Sequence, residues 1–317
     1  MPDFDLLVIG EINPDLIVRG PDVRPAFGQE EKLVDEATLT IGSSSAILAC
    51  GAARLGLRTA FLGVTGEDQF GRYMLDAMAQ RGVDVSSCIV DPDLSTGMSV
   101  ILSQPHDRAI LTYPGAIGAL RPEQVDRSLL RRARHLHVGS YYLLDALRPG
   151  LPSLYAEAHE AGVTTSLDTN WDPSGQWDGR LAEVLLHCDV FLPNEAEARA
   201  IARRKTLPEA VEVLAALVPV VAVKLGAQGG MAYANLAKVS SPSQGSIRVP
   251  ALSVDVVDTT GAGDSFDAGF LYGYLNGWPL DRALRLACAC GSLSTRAPGG
   301  TTGQPTLEEA LLAIRNE

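Results

Sequence analysis

Three features are scarce in this chain of 317 residues: long apolar runs, regularly spaced cysteines and positive charge. Its apolar segments are far shorter than the roughly 18 residues that a membrane-spanning helix needs. Its five cysteines are scattered and lack the C-x-x-C spacing of a zinc site. Because 38 acidic residues outnumber 26 basic ones, the net charge is −12, which argues against a nucleic acid or an anionic membrane as partner.

The N-terminus also lacks the positive charge with which a signal peptide opens. Its first residues are acidic, and Asp5 leads directly into the apolar run Leu6-Leu7-Val8-Ile9, which predicts a first strand. Cys288 and Cys290 have the spacing of small core residues on a helix, as is usual in a reducing compartment. We therefore expect a cytoplasmic protein.

Hydrophobic residues make up 46% of the chain and charged residues 20%, which is typical of a globular protein with ample core. Segments that predict buried strands alternate with segments that predict helices. The strands are expected at 6–9, 59–64, 135–138, 164–167, 189–192 and 220–223, and the helices at 46–55, 151–161, 182–186 and 280–293. This alternation predicts right-handed βαβ units around a mainly parallel sheet. No linker divides the chain, so residues 1–317 are expected to form one domain.

Two segments depart from this alternation, at approximately 12–40 and 97–115. The first is less apolar and rich in glycine and proline, whereas the second alternates apolar and polar residues on both sides of a predicted turn at 104–107. This period of two predicts a hairpin outside the main sheet. Residues 231–250 likewise predict short antiparallel strands, joined by an exposed loop at 240–246.

The most informative stretch has the sequence DTTGAGDSF and runs from Asp258 to Phe266. It follows an apolar, extended-looking run at 254–257, which is expected to be a strand, and it precedes a helical pattern. A helix that starts after glycines directs free N–H groups and the positive end of its dipole at one spot, which favours an anion. Asp264 at that spot is suited to take a proton from a hydroxyl group while the amides stabilise a transferring phosphoryl group. The alternative is that Asp264 is only a helix-start residue after a glycine turn.

This motif resembles the C-terminal signature of the ribokinase-like, PfkB-type carbohydrate kinase family, and G-x-D-x-F-G at 66–71 belongs to the same resemblance. The resemblance implies a three-layer α/β/α fold, with the two departing segments forming a small β-sheet lid that is often a homodimer surface. It implies ATP and Mg²⁺ as cofactors, Asp264 as the catalytic base, and Gly261, Ala262 and Gly263 as the anion hole. Other members carry a monovalent-cation site near Asp258 and Thr260, so K⁺ is a further expectation.

The resemblance also assigns substrate contacts. It gives Asn13 and Asp15, which follow the first strand, to substrate hydroxyls, although Asn-Pro-Asp is also a good turn sequence. The loop before the next helix contributes Gly42, Ser43 and Ser44, although serines there also serve as N-caps.

Asp168 and Asn170 follow the strand at 164–167, on the edge where ligands bind. The chain departs from the family at Ile47, where an asparagine is usual. Asp172 stands where relatives that bind sugar acids carry arginine, and Ser44 stands where kinases of sugar phosphates carry lysine. We therefore expect a neutral acceptor.

The expected ATP contacts follow two further strands. Asn194 and Glu197 match a family motif that organises phosphate and Mg²⁺ through water, and the same pair forms a complete helix-capping box. Lys224, Gly226 and Gly229 resemble the nucleotide loop, although a single lysine at a strand end is also typical of a solvated position.

The leading hypothesis is an ATP-dependent kinase that phosphorylates a hydroxyl of a small neutral sugar. One alternative is a nucleoside kinase of the same fold, with Tyr113, Phe27, Tyr141 and Trp171 available to stack a base. A second is a binding protein without catalysis, which would lack the base or the anion hole. A dinucleotide-dependent dehydrogenase is excluded, because Gly10 is not followed by the G-x-G-x-x-G pattern.

Overall fold

The computed structural model describes residues 2–104, 107–235 and 245–315, without the side chain of residue 107. The centre of the predicted turn at 104–107 and most of the predicted loop at 240–246 lie outside the described residues. The strands are β1 Leu6–Ile9, β2 Pro14–Arg19, β3 Glu36–Ile41, β4 Thr59–Leu62, β5 Val64–Gly66, β6 Val83–Asp84, β7 Ile89–Asp91, β8 Met98–Gln104, β9 Asp107–Tyr113, β10 His135–Val138, β11 Thr164–Leu167, β12 Val190–Phe191, β13 Val220–Lys224, β14 Gly230–Ala234 and β15 Gly245–Val249. The α-helices are α1 Ser44–Arg54, α2 Gln69–Ala79, α3 Arg127–Arg131, α4 Leu151–Glu160, α5 Leu181–Leu185, α6 Glu195–Ala202, α7 Leu207–Leu217, α8 Ala262–Leu275, α9 Leu280–Ser294 and α10 Leu307–Arg315.

The main sheet has the order β15-β14-β13-β12-β11-β10-β1-β4-β6. Its strands from β13 to β6 run parallel, and only β14 and β15 are antiparallel to their neighbours. The predicted mainly parallel sheet is therefore confirmed. In this order the ends of β1, β10, β11, β12 and β13 lie side by side, which brings their C-terminal loops to one edge.

Helices cover both faces of this sheet, because its central strands are apolar on both sides. In β1, Leu7 and Ile9 belong to one buried cluster, which includes side chains of α4 and α7. Leu6 and Val8 belong to a second cluster, which includes side chains of α1, α8 and α9. The alternation of side chains along one strand thus places a layer of helices on each face, as in a three-layer α/β/α architecture.

A second, four-stranded sheet, the small sheet, has the order β3-β2-β8-β9. Its strands come from the two segments that departed from the βαβ pattern, and β8 pairs antiparallel with β9 as predicted. Ile17 and Ile101 are buried in it, whereas Leu39, Ile110 and Leu111 are exposed. A small sheet at these segments is confirmed. Its action as a lid and the assignment of the whole chain to a single domain stay predictions.

One sequence expectation about the fold was wrong: the run at 254–257 is not a strand, although its residues are extended-looking in sequence. Val256 and Val257 are 61% and 59% exposed, so they lack the burial that a sheet strand would give them. Among the described residues, no helix is both long and apolar enough to cross a bilayer.

Candidate active site

Polar side chains gather where adjacent strands of the main sheet end. Glu11 follows β1, Ser140 follows β10, Asp168 follows β11, and Asn194 follows β12, while Lys224 ends β13. Each of these strands is largely buried, and the polar side chains that follow lie at the edge at which the core stops. In open α/β sheets, ligands bind at this carboxyl-terminal edge.

Hydrogen bonds join these strand ends into one network. Ser140 Oγ donates to Glu11 Oε1 at 2.9 Å and accepts from Asn170 Nδ2 at 3.2 Å. The Asn170 N–H donates to Asp168 Oδ1 at 3.0 Å, and Lys224 Nζ donates to Asp168 Oδ2 at 2.9 Å. Ser140 and Asn170 both have φ of 52°, a left-handed conformation that is uncommon outside glycine. The network holds the floor of the site rigid across four strands.

The start of α8 lies over this floor. Gly261 precedes the helix with φ of 73°, and a Cβ there would lie 2.7 Å from Gly300 Cα, so only glycine fits. The first N–H groups of a helix have no partner within it, which leaves those of Gly263 and Asp264 available to an anion. Ala262 differs from the expectation, because its N–H donates to the Thr259 carbonyl at 3.3 Å. The predicted three-residue anion hole is thus formed by fewer amides in this conformation.

Asp264 is partly buried at this helix start, and Ser44 Oγ donates to its Oδ1. Burial raises the pKa of Asp264 to about 7, the Ser44 hydrogen bond lowers it, and the nearby Asp168 carboxylate raises it further. A carboxyl group that exchanges its proton near neutral pH is well matched to general acid–base catalysis. Ser44, which was predicted as a substrate contact, therefore also orients this carboxyl group.

One cavity of about 890 Å³ connects these groups. The predicted residues that line it are Ser44, Asp168, Asn170, Asn194, Glu197, Lys224, Gly226, Gly229, Gly261, Ala262, Gly263 and Asp264. Its far end lies between residues 251–256 and the side of α9 that carries Cys288, Gly291 and Ser292. The volume and the two ends suit an extended ligand, with Asp264 between them.

Asn13, Asp15, Gly42 and Ser43 do not line this cavity. Asn13 and Asp15 are 4% and 7% exposed, and a Cβ at Gly42 would lie 2.2 Å from Asp15 Oδ1. Burial raises the pKa of Asp15 to about 7, with a further contribution from Glu11. Ser43 caps α1 by accepting the Ala46 N–H, and its hydroxyl donates to the Glu11 carbonyl. The alternative role of Ser43 as an N-cap is therefore what the geometry shows.

Asn194 and Glu197 form a full capping box at the start of α6. The Asn194 N–H donates to Glu197 Oε2 at 2.8 Å, and the Glu197 N–H donates to Asn194 Oδ1 at 2.9 Å. Glu197 is 4% exposed, and burial, together with the Asp168 carboxylate, raises its pKa to about 7. The capping account is confirmed, and the same pair also lines the cavity.

Lys224 corrects one interpretation, because it is not a solvated lysine. Its Nζ donates to Asp168 Oδ2 and to Asp267 Oδ2, both at 2.9 Å, and its side chain is only 12% exposed. The sequence analysis missed Asp267, which is fully buried on α8 one turn after Asp264. Its position three residues from a proposed base was the available signal, since residues i and i+3 share a helix face.

Asp258 and Thr260 do not fit a monovalent-cation site centred on this carboxylate. Asp258 Oδ2 accepts from Arg19 Nη2 at 2.5 Å and from the Gly299 N–H at 2.9 Å. Its Oδ1 accepts from the N–H and hydroxyl of Thr260 at 2.9 and 2.8 Å. Burial acts to raise the pKa of Asp258, but these donors hold it below its usual value. A guanidinium already supplies the positive charge that a bound cation would bring.

The small sheet contacts this same loop at a second place. Arg108 on β9 donates from Nη1 to Thr260 Oγ1 at 3.3 Å and also lines the cavity. Arg19 on β2 and Arg108 on β9 therefore both hold the small sheet to the segment that precedes the anion-binding helix. The sequence analysis assigned neither arginine a role.

Known proteins are similar over almost the whole chain. The family described as pfkB family carbohydrate kinase matches residues 3–307. An ATP-dependent ribose-1-phosphate kinase of Halopiger xanaduensis is 31% identical and is aligned over 98% of both chains. A 5-dehydro-2-deoxygluconokinase of Geobacillus thermodenitrificans is 29% identical over 86% of this chain and 83% of its own. The solved structure of Arabidopsis thaliana ribokinase complexed with ribose and ATP has a TM-score of 0.84 and 25% identity, covering 98% of this chain and 99% of that one.

Proposed function

Because the chain belongs to the pfkB family of carbohydrate kinases, we propose that it transfers the γ-phosphoryl group of ATP to a hydroxyl group of a small neutral sugar. The observation that carries the proposal is the start of α8, where a carboxyl group and free amides face one cavity of about 890 Å³. A phosphoryl acceptor needs the carboxylate, and a transferring phosphoryl group needs the amides.

In this mechanism the Asp264 carboxylate accepts the proton of the acceptor hydroxyl. The hydroxyl oxygen forms a bond to the γ-phosphorus while the bond between that phosphorus and the bridging oxygen breaks, and ADP leaves. The N–H groups of Gly263 and Asp264 at the start of α8, with that of Gly261 just before it and the helix dipole, stabilise the charge on the transferring group. Ser44 holds the carboxylate in place through its hydrogen bond.

We assign the donor to the side of the cavity lined by Asn194, Glu197, Gly226 and Gly229. Gly229 has φ of 89°, and a Cβ there would lie 2.0 Å from the Val249 carbonyl oxygen, so backbone rather than side chain faces the ligand. A Mg²⁺ ion bound with ATP would supply positive charge to the phosphates, and the protein would hold it largely through water molecules. The Glu197 carboxylate and the Asn194 amide are oxygen groups suited to hold those waters, which supports their expected role beside their capping role.

We assign the acceptor to the side formed by Ser44, Asp168 and Asn170, with Asn13 and Asp15 buried behind it. Charge supports a neutral acceptor. Burial raises the pKa of Asp15, and the nearby Arg108 guanidinium lowers it. The positive charge of Arg108 is therefore already partly balanced by a carboxyl group of the protein. Asp172 is buried and accepts from Ser174 and Trp177 of its own loop, so it does not contact the cavity.

The nucleoside alternative loses support from the positions of the four aromatic residues. Tyr141 is fully buried and its hydroxyl donates to the Gly179 carbonyl. Phe27 is 96% exposed, and Trp171 packs edge-on against Trp177 at 5.0 Å. None of the four, Tyr113 included, lines the cavity that holds Asp264. No stacking platform for an acceptor base is formed by these side chains.

Two further expectations remain proposals. Exposed apolar side chains of the small sheet, Leu39, Ile110 and Leu111, together with Phe27 in the neighbouring segment, offer a second copy a surface for the predicted homodimer. Cys50, Cys88, Cys188 and Cys290 are reduced, which supports the expected cytoplasmic location.

The deciding experiment measures ADP release from ATP with a panel of acceptors. Neutral pentoses and hexoses are compared with sugar acids, sugar 1-phosphates and nucleosides, each with and without Mg²⁺. We expect a neutral sugar to give the highest kcat/KM. A preference for a phosphorylated or carboxylated acceptor would refute the neutral-acceptor proposal, and phosphorylation of nucleosides alone would replace it with the nucleoside alternative.

A further inference from the structure

We propose that Asp267 and Lys224 form a positioning pair, in which a protonated Asp267 holds the Lys224 ammonium beneath the start of α8 so that its positive charge keeps the Asp264 base ionised. The proposal rests on the proposed kinase function, because it concerns the same base. It assigns a purpose to a carboxyl group that touches neither acceptor nor donor.

The geometry puts the lysine directly under the anion-binding backbone. A Cβ added at Gly263 would lie 3.3 Å from Lys224 Cδ and 3.8 Å from Nζ, so the side chain passes against this glycine. Its Nζ ends between Asp168 on the floor and Asp267 on the helix, at 2.9 Å from each. A side chain at 263 would press on the lysine and push it aside, so the glycine at this position leaves the lysine its place beneath the helix start.

Two buried carboxyl groups facing one ammonium do not both need to be ionised. The charge on Asp168 is favoured because Lys224 and the Asn170 N–H both donate to it, and against the effect of burial they hold its pKa below the usual value. Asp267 has no solvent contact, and burial holds its pKa well above the usual value. Its Oδ1 has no hydrogen-bond acceptor or donor assigned among the described residues, and the Asp168 carboxylate lies within hydrogen-bonding reach. A protonated Asp267 therefore donates to one neighbour and accepts from Lys224.

The lysine is the positive group that acts on Asp264. Facing Asp264 are the Ser44 hydroxyl, Asp168, Lys224 and Glu11, and of the three charged groups only Lys224 lowers its pKa. Without the Lys224 ammonium, the partly buried Asp264 would have only the Asp168 and Glu11 carboxylates as charged neighbours. The base would then be protonated over more of the physiological pH range and would accept a proton from fewer substrate molecules.

The geometry also explains why a neutral partner suits position 267. An ionised Asp267 would draw the lysine charge towards itself and add a third negative group near Asp264, after Asp168 and Glu11. A neutral Asp267 carboxyl group holds Lys224 Nζ by a hydrogen bond and leaves the positive charge of the lysine to act on Asp264. This distinction yields opposite expectations for an amide and for a truncated side chain at the same position.

The test compares Asp267→Asn, Asp267→Ala and Lys224→Met with the wild-type protein, using the pH dependence of kcat/KM for the best acceptor of the panel. We expect Asp267→Asn to retain kcat/KM within about threefold, because an amide oxygen can still accept from Lys224. We expect Asp267→Ala to lower kcat at least tenfold with little change in KM for ATP. For Lys224→Met we expect the acidic limb of the profile to move up by about one to two pH units.

Circular dichroism and thermal unfolding establish which variants are folded, since Lys224→Met leaves buried carboxyl groups without their cation. Infrared spectroscopy of the ligand-free protein at pH 8.5 gives a readout that needs no substrate, because Asp15, Glu197 and Asp264, whose pKa values are raised to about 7, are then almost fully ionised. We expect a protonated carboxylic acid band that disappears in Asp267→Asn.

The outcomes separate this inference from the proposed function. A wild-type protein that phosphorylates no acceptor would refute the function, whereas the infrared band would still report the state of Asp267. With an active wild type, the positioning pair would be refuted by an Asp267→Asn variant as impaired as Asp267→Ala, or by an acidic limb that stays in place in folded Lys224→Met. Absence of the infrared band would refute the protonated state.

Discussion

Replacing Asp264 by asparagine separates catalysis from stability, because the structure predicts opposite effects on the two. The amide keeps the shape of the side chain and can still accept from the Ser44 hydroxyl, but it cannot take a proton. General base catalysis contributes about 10²- to 10⁴-fold to a rate, so we expect kcat to fall by about that factor. Binding of ATP, which needs the amides and not the carboxylate, is expected to change little.

The stability of the ligand-free protein is expected to rise. Burial raises the pKa of Asp264 from 3.8 to about 7. The folded value lies above the unfolded one, so ionising the group costs more in the folded protein; this cost is absent below pH 4 and complete above pH 7. About three pH units correspond to at most about 4 kcal/mol, and solvent screening of a partly exposed group reduces the expectation to about 1–2 kcal/mol at pH 8.

The assay is ADP release with the best acceptor, measured between pH 6 and pH 9, together with thermal unfolding of the ligand-free protein over the same range. In the wild type, kcat/KM should rise about tenfold between pH 6 and pH 8, because the ionised fraction of a group with pKa about 7 does so. Asp281→Asn, at the start of α9, is a matched control that changes an acidic residue in the first turn of another helix.

Retention of more than about a tenth of the wild-type turnover by Asp264→Asn would refute the assignment of the base. A melting temperature that falls at pH 8 would refute the charge argument, because it would show that the ionised carboxylate stabilises the empty site. A control variant that loses as much activity would point to a general effect of removing an acidic residue.

Three other predictions address the surroundings of this base. Gly261→Ala should lower kcat at least tenfold, whereas Gly277→Ala, with the same sign of φ and open space around it, should cost only about 1 kcal/mol of stability in thermal unfolding. Exchanging Na⁺ for K⁺ should change kcat less than twofold, because the Arg19 guanidinium already neutralises the Asp258 carboxylate. An Arg19→Met variant that gains no dependence on the monovalent cation would contradict this explanation. Glu197→Gln should raise the Mg²⁺ concentration for half-maximal rate, and Glu209→Gln, in the equivalent capping box of α7, should not.

The fold was predictable because its evidence is local and repeated. The strands predicted at 6–9 and 164–167 match observed strands residue for residue. The first of them, Leu6–Ile9, is apolar throughout because it is buried on both faces, so its composition alone distinguishes it from a surface segment. The run at 254–257 failed for the same reason, since its apolar residues suggested burial that the structure does not give them.

The helix start at Asp264 was also predictable, because its chemistry is written within a few consecutive residues. Glycines, a carboxylate and an amphipathic helix in that order indicate an anion site before any tertiary contact is known. The same locality exposed the capping box of Asn194 and Glu197. The sequence could not decide whether such a residue caps a helix or contacts a ligand, because both roles use the same atoms.

The contacts that could not be predicted from the sequence join residues that are far apart in the chain. Arg19 meets Asp258 across 239 positions, and Ser44 meets Asp264 across 220. A lysine at a strand end is usually solvated, and no residue close to Lys224 in the chain indicates that it is buried. Only the sheet order, which places β13 and β11 on either side of β12 and packs α8 above them, brings two carboxyl groups to Lys224.

The contacts of Lys224 change how the acidity of this protein bears on its chemistry. A net charge of −12 suggested that phosphate is handled by local amides, metal ions and a few lysines. The structure puts one such lysine under the amides, enclosed by the carboxyl groups that fix its position. The ionised Asp168 balances part of this charge, while the protonated Asp267 fixes the position of the lysine without adding negative charge. The lysine can therefore set the protonation of the base without making the empty site a general binding site for anions. Tight binding of inorganic phosphate or sulfate to the ligand-free protein, weakened in Lys224→Met, would show that the balance is incomplete and that the lysine acts as a phosphate ligand instead.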